Sequence, residues 1–102
     1  MKIFISQPMK GKTNEEIKAE RERLIARARE RCGENIEVIE SFFENAPADV
    51  MRPLWFLGKS LELLSTADAA VFAPDWESAR GCRIENECAI AYGIEVMEVY
   101  GK

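Results

Sequence analysis

The chain has 102 residues, of which 47% are apolar and 31% charged, a composition typical of one globular domain with one core. Its net charge of −4, without a basic block, disfavours binding to the phosphate backbone of a nucleic-acid polymer. Because the chain contains no histidine, we expect no structural zinc site, and carboxylates must carry most of any acid–base or nucleophilic chemistry.

No apolar stretch of the sequence has the length of a membrane span, and the first residues lack the pattern of a signal peptide. The three cysteines cannot all pair within one chain, which favours a reducing compartment. We therefore expect a cytoplasmic protein without a membrane partner. We expect the cysteines to be small core residues, namely Cys32, Cys82 and Cys88.

The first third of the chain predicts a strand, a loop and a long helix. KIFIS (2–6) is a short strand, and QPMKGK (7–12) is a loop rich in turn formers. Thr13 and Glu16 form the capping-box pattern at the start of a helix. That helix is expected to end at Gly33, a residue that commonly terminates helices.

The remainder of the chain continues the alternation of strands and helices. The predicted strands are NIEVIE (35–40), the apolar run ADAAVFAP (67–74) and EVMEVY (95–100). LWFLGKSLELLS (54–65) is a predicted helix, and the connection 41–53 before it is long enough to be a lid or a partner surface. The order β-α-β-α-β-α-β predicts one α/β domain, with about four parallel strands and helices on both faces.

The last predicted helix, ARGCRIENECAIAYG (79–93), directs an acid toward its own apolar face. At about 100° per residue, Glu85 falls in the middle of the arc formed by the apolar side chains. These side chains are Cys82, Ile84, Cys88, Ala89 and Tyr92. A buried carboxylate is costly unless it is paired or faces a cavity. The helix macrodipole favours an acid in the first turn but does not explain the direction of this one, so we interpret Glu85 as functional.

Three loops, at 6–12, 41–53 and 74–81, are expected at the edge of the sheet where parallel α/β proteins bind ligands. The segment ISQPMKGKT (5–13) joins a strand to a helix start, so it is either an anion site supplied by Lys10, Gly11 and Lys12 or a connection only. In DWESARG (75–81), Asp75 and Ser78 are candidates to bind ribose hydroxyls.

Trp76, in the loop 75–81, is a candidate to stack on a base or to cover the core, and the sequence does not distinguish these two roles.

The helix 54–65 has more apolar surface than one stripe requires. One stripe consists of Leu54, Leu57, Leu61 and Leu64, and a second apolar patch consists of Trp55, Phe56 and Leu63. An additional patch of this kind favours self-association. We therefore expect a homodimer or a tetramer.

Three segments together resemble the nucleoside 2-deoxyribosyltransferase-like superfamily, in particular its small phage and bacterial branch. They are MKIFISQPMKGKT (1–13), LGKSLELLSTADAAVFAPDW (57–76) and ARGCRIENECAIAYG (79–93). The most specific parts are the SQPM-type first loop and the segment G-x-x-x-E-x-x-x-A, here Gly81, Glu85 and Ala89.

The resemblance implies a flavodoxin-like or Rossmann-like fold and cleavage of the N-glycosidic bond of a nucleoside or nucleotide. It implies that Glu85 is the nucleophile and that no metal or organic cofactor is needed. The substrate-binding residues that we expect from it are Ser6, Gln7, Met9 and Gly11 on the 5′ side and Asp75, Trp76, Ser78 and Gly81 near the base or sugar. The alternatives are a nucleotide-binding protein without turnover and an assembly module.

Overall fold

The computed structural model describes residues 1–40 and 53–98, and the centre of this part is a four-stranded, fully parallel sheet. The strands are β1 (Lys2–Ser6), β2 (Glu37–Val38), β3 (Ala69–Phe72) and β4 (Glu95–Glu98). The helices are α1 (Asn14–Cys32), α2 (Pro53–Leu64) and α3 (Arg80–Ala91), with a 3₁₀ turn at Trp76–Ser78. The interpretation of the connection 41–53 as a lid or partner surface falls almost entirely outside the described residues.

The strand order β2-β1-β3-β4 places β1 and β3 side by side in the middle of the sheet. Their register pairs Ile3 with Ala69 and Ser6 with Phe72. The chain reaches β2 on one side of β1 and β3 on the other, so the strand order reverses between β1 and β3. In open parallel sheets the ligand crevice lies at this point, beyond the carboxyl ends of the strands.

Alternate residues of β1 face opposite layers of helices, as the period of two in a strand requires. Ile3 and Ile5 belong to a core cluster with Leu24 of α1, whereas Phe4 belongs to a second cluster with Leu64 of α2. The second cluster also contains Ala70, Phe72 and Ala89. The predicted α/β three-layer architecture is confirmed: α1 covers one face of the sheet, and α2 and α3 cover the other.

The predicted boundaries of α1 agree with the structure. The Thr13 hydroxyl accepts from the Glu16 amide at 3.1 Å, and the Glu16 carboxylate accepts from the Thr13 amide at 2.8 Å. The helix ends before Gly33, whose positive φ of 92° is easily adopted only without a side chain. Its core side carries Ile17, Leu24, Ile25 and Ala28.

Three details of the predicted apolar faces are wrong. Leu63 was expected in a second patch with Trp55 and Phe56, off the core-facing stripe, but it packs against the second core cluster. Leu54 was expected in the core-facing stripe of α2 but is 76% exposed, because α2 packs on the core through its C-terminal half, at Leu61, Leu63 and Leu64. Tyr92 was placed on the buried arc of α3 but is 83% exposed, because the helix ends at Ala91 and the chain turns away.

The cysteines pack as expected from the sequence. Cys82 is buried, while Cys32 and Cys88 are half-buried against the first and the second core cluster, and all three are free thiols. Among the described helices, none has the length and apolar character to cross a membrane.

Candidate functional site

The Glu85 carboxyl group lies at the carboxyl end of β1, where the strand order reverses between β1 and β3. Glu85 is 7% exposed, and its Oε1 accepts a 2.6 Å hydrogen bond from the Ser6 hydroxyl. Ser6 is the last residue of β1, and Glu85 lies in the second turn of α3. Ser6 faces α3 because it shares the side of β1 on which Phe4 packs. The predicted burial of Glu85 is therefore confirmed, and its direction is set by this contact.

Burial raises the pKa of Glu85 above its ordinary value, and the hydroxyl groups of Ser6 and Ser60 act in the opposite direction. In the described part of the chain, no lysine or arginine forms an ion pair with this carboxylate. Among the described residues, the hydroxyl groups of Ser6 and Ser60 stabilise its charge. This is an uncommon environment for a buried acid, since buried charges are usually paired with an opposite charge.

Cys82 lies near the same carboxylate but is not suited to nucleophilic chemistry. Burial raises the pKa of its thiol to about 11, the negative charge of Glu85 adds to the rise, and a hydrogen bond with Ser6 lowers it only in part. The reactive form of a cysteine is the thiolate. Cys82 therefore remains a neutral thiol at physiological pH, and Glu85 is the nucleophilic candidate of this pair.

A second set of polar contacts, on the α1 side of β1, links Gln7, Glu20, Lys12 and Asp75. The Gln7 Nε2 donates to Glu20 Oε1 at 2.9 Å, and Lys12 Nζ reaches the same oxygen at 3.4 Å. Lys12 Nζ also reaches Asp75 Oδ2 at 3.3 Å. We call these four residues the polar chain. It ties the loop after β1 to α1 and to the loop after β3.

The contacts of the polar chain disfavour an anion site in the loop after β1. The positive charge of Lys12 is already opposed by Glu20 and Asp75. Burial lowers the pKa of Lys12, but these two acids together raise it above its ordinary value. At the start of α1, the Thr13 hydroxyl already accepts from the Glu16 amide. An incoming anion would thus have to compete with existing partners of Lys12 and of this amide.

Residues of the loop after β3 lie beside this crevice with different degrees of exposure. Trp76 packs edge-on against Phe72, with ring centroids 5.6 Å apart, so its ring covers the second core cluster. Ser78 is exposed and its hydroxyl donates to the Asp75 carbonyl at 2.7 Å. The side chain of Asp75 is bound to Lys12, with part of it exposed.

Met9 and Gly11 lie in the loop after β1, and Gly81 lies in the first turn of α3. Met9 and Gly11 belong to an exposed turn, in which the Lys12 amide donates to the Met9 carbonyl at 3.1 Å and Gly11 has φ of 81°. Gly81 lies one helical turn before Glu85, on the same face of α3. A Cβ at Gly81 would meet no atom within 4 Å, so there is open space at this position of the helix.

Ser60 and Glu20 are site residues that the sequence did not single out. Ser60 lies one turn before the buried Leu64 of α2. A polar residue on an otherwise apolar helix face is the feature of the sequence that could have identified it as a site residue. Glu20 resembles any exposed acid of α1 in the sequence. In the structure, its carboxylate holds both Gln7 and Lys12.

A comparison of the chain with protein-family models, curated proteins and solved structures found no match. The geometry of Glu85 and of the polar chain is therefore the basis on which a function is inferred.

Proposed function

We propose that this protein cleaves or transfers at the N-glycosidic bond of a nucleoside or nucleotide, with Glu85 as nucleophile. The observation that carries the proposal is the buried Glu85 carboxyl group, held by the Ser6 hydroxyl at the ligand-binding edge of a parallel sheet. The resemblance of the three sequence segments to the nucleoside 2-deoxyribosyltransferase-like superfamily supports the same role.

The chemistry follows from an unpaired carboxylate. One Glu85 oxygen attacks the anomeric carbon while the C1′–N bond breaks, and the electron pair of that bond moves to the departing base. The result is a glycosyl ester on Glu85. An acceptor base that attacks the ester gives transfer to a new nucleoside, and water gives hydrolysis.

The electrostatics of Glu85 suit this transition state. Positive charge develops on the sugar as the C1′–N bond breaks, and a carboxylate in a poorly solvated site interacts with that charge strongly. The Ser6 hydrogen bond orients the carboxylate and helps to keep it ionised. An arginine or lysine in contact with Glu85 would weaken both its nucleophilicity and its attraction for the sugar cation.

One observation favours the alternative of nucleotide binding without turnover. A departing base is usually protonated by an acid. Asp75, an acid of the adjacent loop, already binds Lys12 Nζ through its Oδ2 at 3.3 Å. If no other acid supplies the proton, the protein binds its ligand and does not cleave it.

Self-association is a separate proposal. It is supported by three apolar side chains that are exposed on the helical layer, namely Leu54, Ile90 and Tyr92. Sedimentation over a range of protein concentrations tests it, and a monomer at every concentration would contradict it.

The test of the proposed reaction is chromatographic. The protein is incubated with nucleosides and their 5′-monophosphates, with and without a second free base. We expect release of free base, or a new nucleoside when an acceptor is present. Because the carboxylate is the attacking group, Glu85→Gln should reduce turnover by at least roughly a thousandfold.

Glu87→Gln is the matched control, because Glu87 lies on the same helix but is exposed. It should leave turnover unchanged. Ligand binding without any product in the parent protein would support the non-catalytic alternative. Equal losses in the two variants, or none in Glu85→Gln, would contradict the role of Glu85.

A further inference from the structure

The side-chain amide of Gln7 has only one orientation that fits its surroundings. Its Nε2 donates to the Ile17 carbonyl at 3.2 Å and to Glu20 Oε1 at 2.9 Å. Both partners are acceptors without a proton to give, so a rotation of the amide by 180° would place oxygen against oxygen. The Oε1 atom of Gln7 is therefore fixed on the opposite side of the amide group.

This amide oxygen is buried and has no hydrogen-bond donor among residues 1–40 and 53–98. Gln7 is 5% exposed, so bulk water does not solvate the oxygen. Buried acceptors are nearly always paired in native proteins, and an unpaired one costs free energy. Gln7 directly follows the last residue of β1, at the strand end where open parallel sheets bind ligands.

The groups around Gln7 accept hydrogen bonds more readily than they donate them. Glu20 and Asp75 are carboxylates, and the one cation of the polar chain, Lys12, is already bound to both. An anionic group such as a phosphate is poorly matched to this environment. A neutral group that carries N–H or O–H protons is well matched, because it can donate to acceptors that lack a partner.

We propose that the Gln7 amide oxygen is a binding group for a hydrogen-bond donor of the ligand. The α1 side of the crevice then recognises an amine, an amide N–H or a hydroxyl group, and not a phosphate. The proposal rests on the proposed function only in taking that ligand to be a nucleoside.

The experiment measures binding in the Glu85→Gln background, where turnover does not interfere. Titration calorimetry compares nucleosides that differ by one donor: adenosine with purine riboside, guanosine with inosine, and ribonucleosides with 2′-deoxynucleosides. In at least one pair, the compound with the donor should bind roughly tenfold more tightly. Adding Gln7→Met, which has a similar length and no amide oxygen, should close that gap.

Glu30→Ala is the matched control, because it removes an exposed acid of the same helix that is not part of the polar chain. It should preserve the gap. A gap that persists in Gln7→Met, or the absence of a gap in every pair that binds, overturns the proposal and leaves the role of Glu85 intact. If no nucleoside binds, the proposed function fails and this inference fails with it.

A crystal structure of the complex decides the matter if Gln7→Met does not fold. A ligand N–H or O–H within hydrogen-bond distance of Gln7 Oε1 is the expected result. An ordered water donating to that oxygen in the complex, with the ligand elsewhere, overturns the proposal.

Discussion

Two neighbouring residues at the end of β1 lead to two polar regions with different electrostatics. Ser6 faces α3 and donates to Glu85, a buried carboxylate without a cationic partner in the described chain. Gln7 faces α1 and donates to Glu20, a carboxylate that also binds Lys12. The alternation of side chains along a strand separates these environments.

The comparison shows how one strand end can support both reactivity and binding. Where a carboxylate has a cation beside it, as Glu20 does, its charge is balanced and its role is to hold other groups. Where only hydroxyl groups contact it, as with Glu85, its charge remains available to a ligand. Substitutions at Ser6, Glu85 and Lys12 alter each region in turn.

Removal of the Ser6 hydroxyl is expected to have the largest effect on stability. Ser6→Ala takes one donor from a buried carboxylate, so the free energy of unfolding at pH 7 should fall by about 1–3 kcal/mol. The pKa of Glu85 should rise further, since the Ser6 hydrogen bond now lowers it. Urea denaturation measures the first effect, and carboxyl NMR measures the second.

Ser65→Ala is the control for this substitution, because the exposed Ser65 hydroxyl only donates to the Glu62 carbonyl at the end of α2. Its effect should stay within about 0.5 kcal/mol. If both serine variants lose the same small amount, Ser6 is not an important partner of Glu85.

The pH dependence of stability should distinguish Glu85 from an ordinary exposed acid. Burial raises its folded pKa above 4.5, so the folded state binds this proton more tightly than the unfolded state does. The stabilisation from that proton is full below pH 4.5 and is lost as pH rises through the folded pKa. The slope cannot exceed about 1.4 kcal/mol per pH unit for one proton.

Unfolding of the parent and of Glu85→Gln, followed from below pH 4.5 to above the folded pKa of Glu85, measures this pH dependence of stability. The glutamine variant should gain stability relative to the parent as pH increases through the window. Glu87→Gln should show no such trend. A difference between parent and Glu85→Gln that is constant with pH would contradict the raised pKa.

Disruption of the polar chain at Lys12 is expected to have the smallest effect. Its two ion pairs are partly exposed, so Lys12→Met should cost less than about 1 kcal/mol. Because salt screens such pairs, the loss should diminish at 1 M NaCl. Thermal unfolding at low and high salt measures this loss of stability. A large loss that does not depend on salt would contradict the expectation that Lys12 acts through partly exposed ion pairs.

The sequence predicted the framework of this comparison. Thr13, Glu16 and Gly33 mark the ends of α1 through local chemistry that operates within a few residues. The continuous apolar run at β3 and the position of Glu85 on its helix wheel follow from periodicity. Local pattern was therefore sufficient for the fold and for the burial of one unusual acid.

The contacts of the site could not be predicted in the same way. Ser6 and Glu85 are 79 positions apart, and their hydrogen bond depends on how α3 is placed over β1. The exposure of Leu54 shows the same limitation, because a helix wheel does not reveal which turns of a helix reach the core. The unpaired Gln7 oxygen depends on the geometry of two separate acceptors.

The most direct test of the account is to trap the glycosyl ester on Glu85. An ester formed from a nucleoside with fluorine at C2′ of the sugar hydrolyses slowly, since fluorine destabilises the positive charge that develops on the sugar. Mass spectrometry of the treated protein should show one sugar adduct, located on the α3 peptide that contains Glu85 and absent from Glu85→Gln. An adduct on another acid, or cleavage of the natural substrate with no adduct at all, would contradict the claim that Glu85 is the nucleophile.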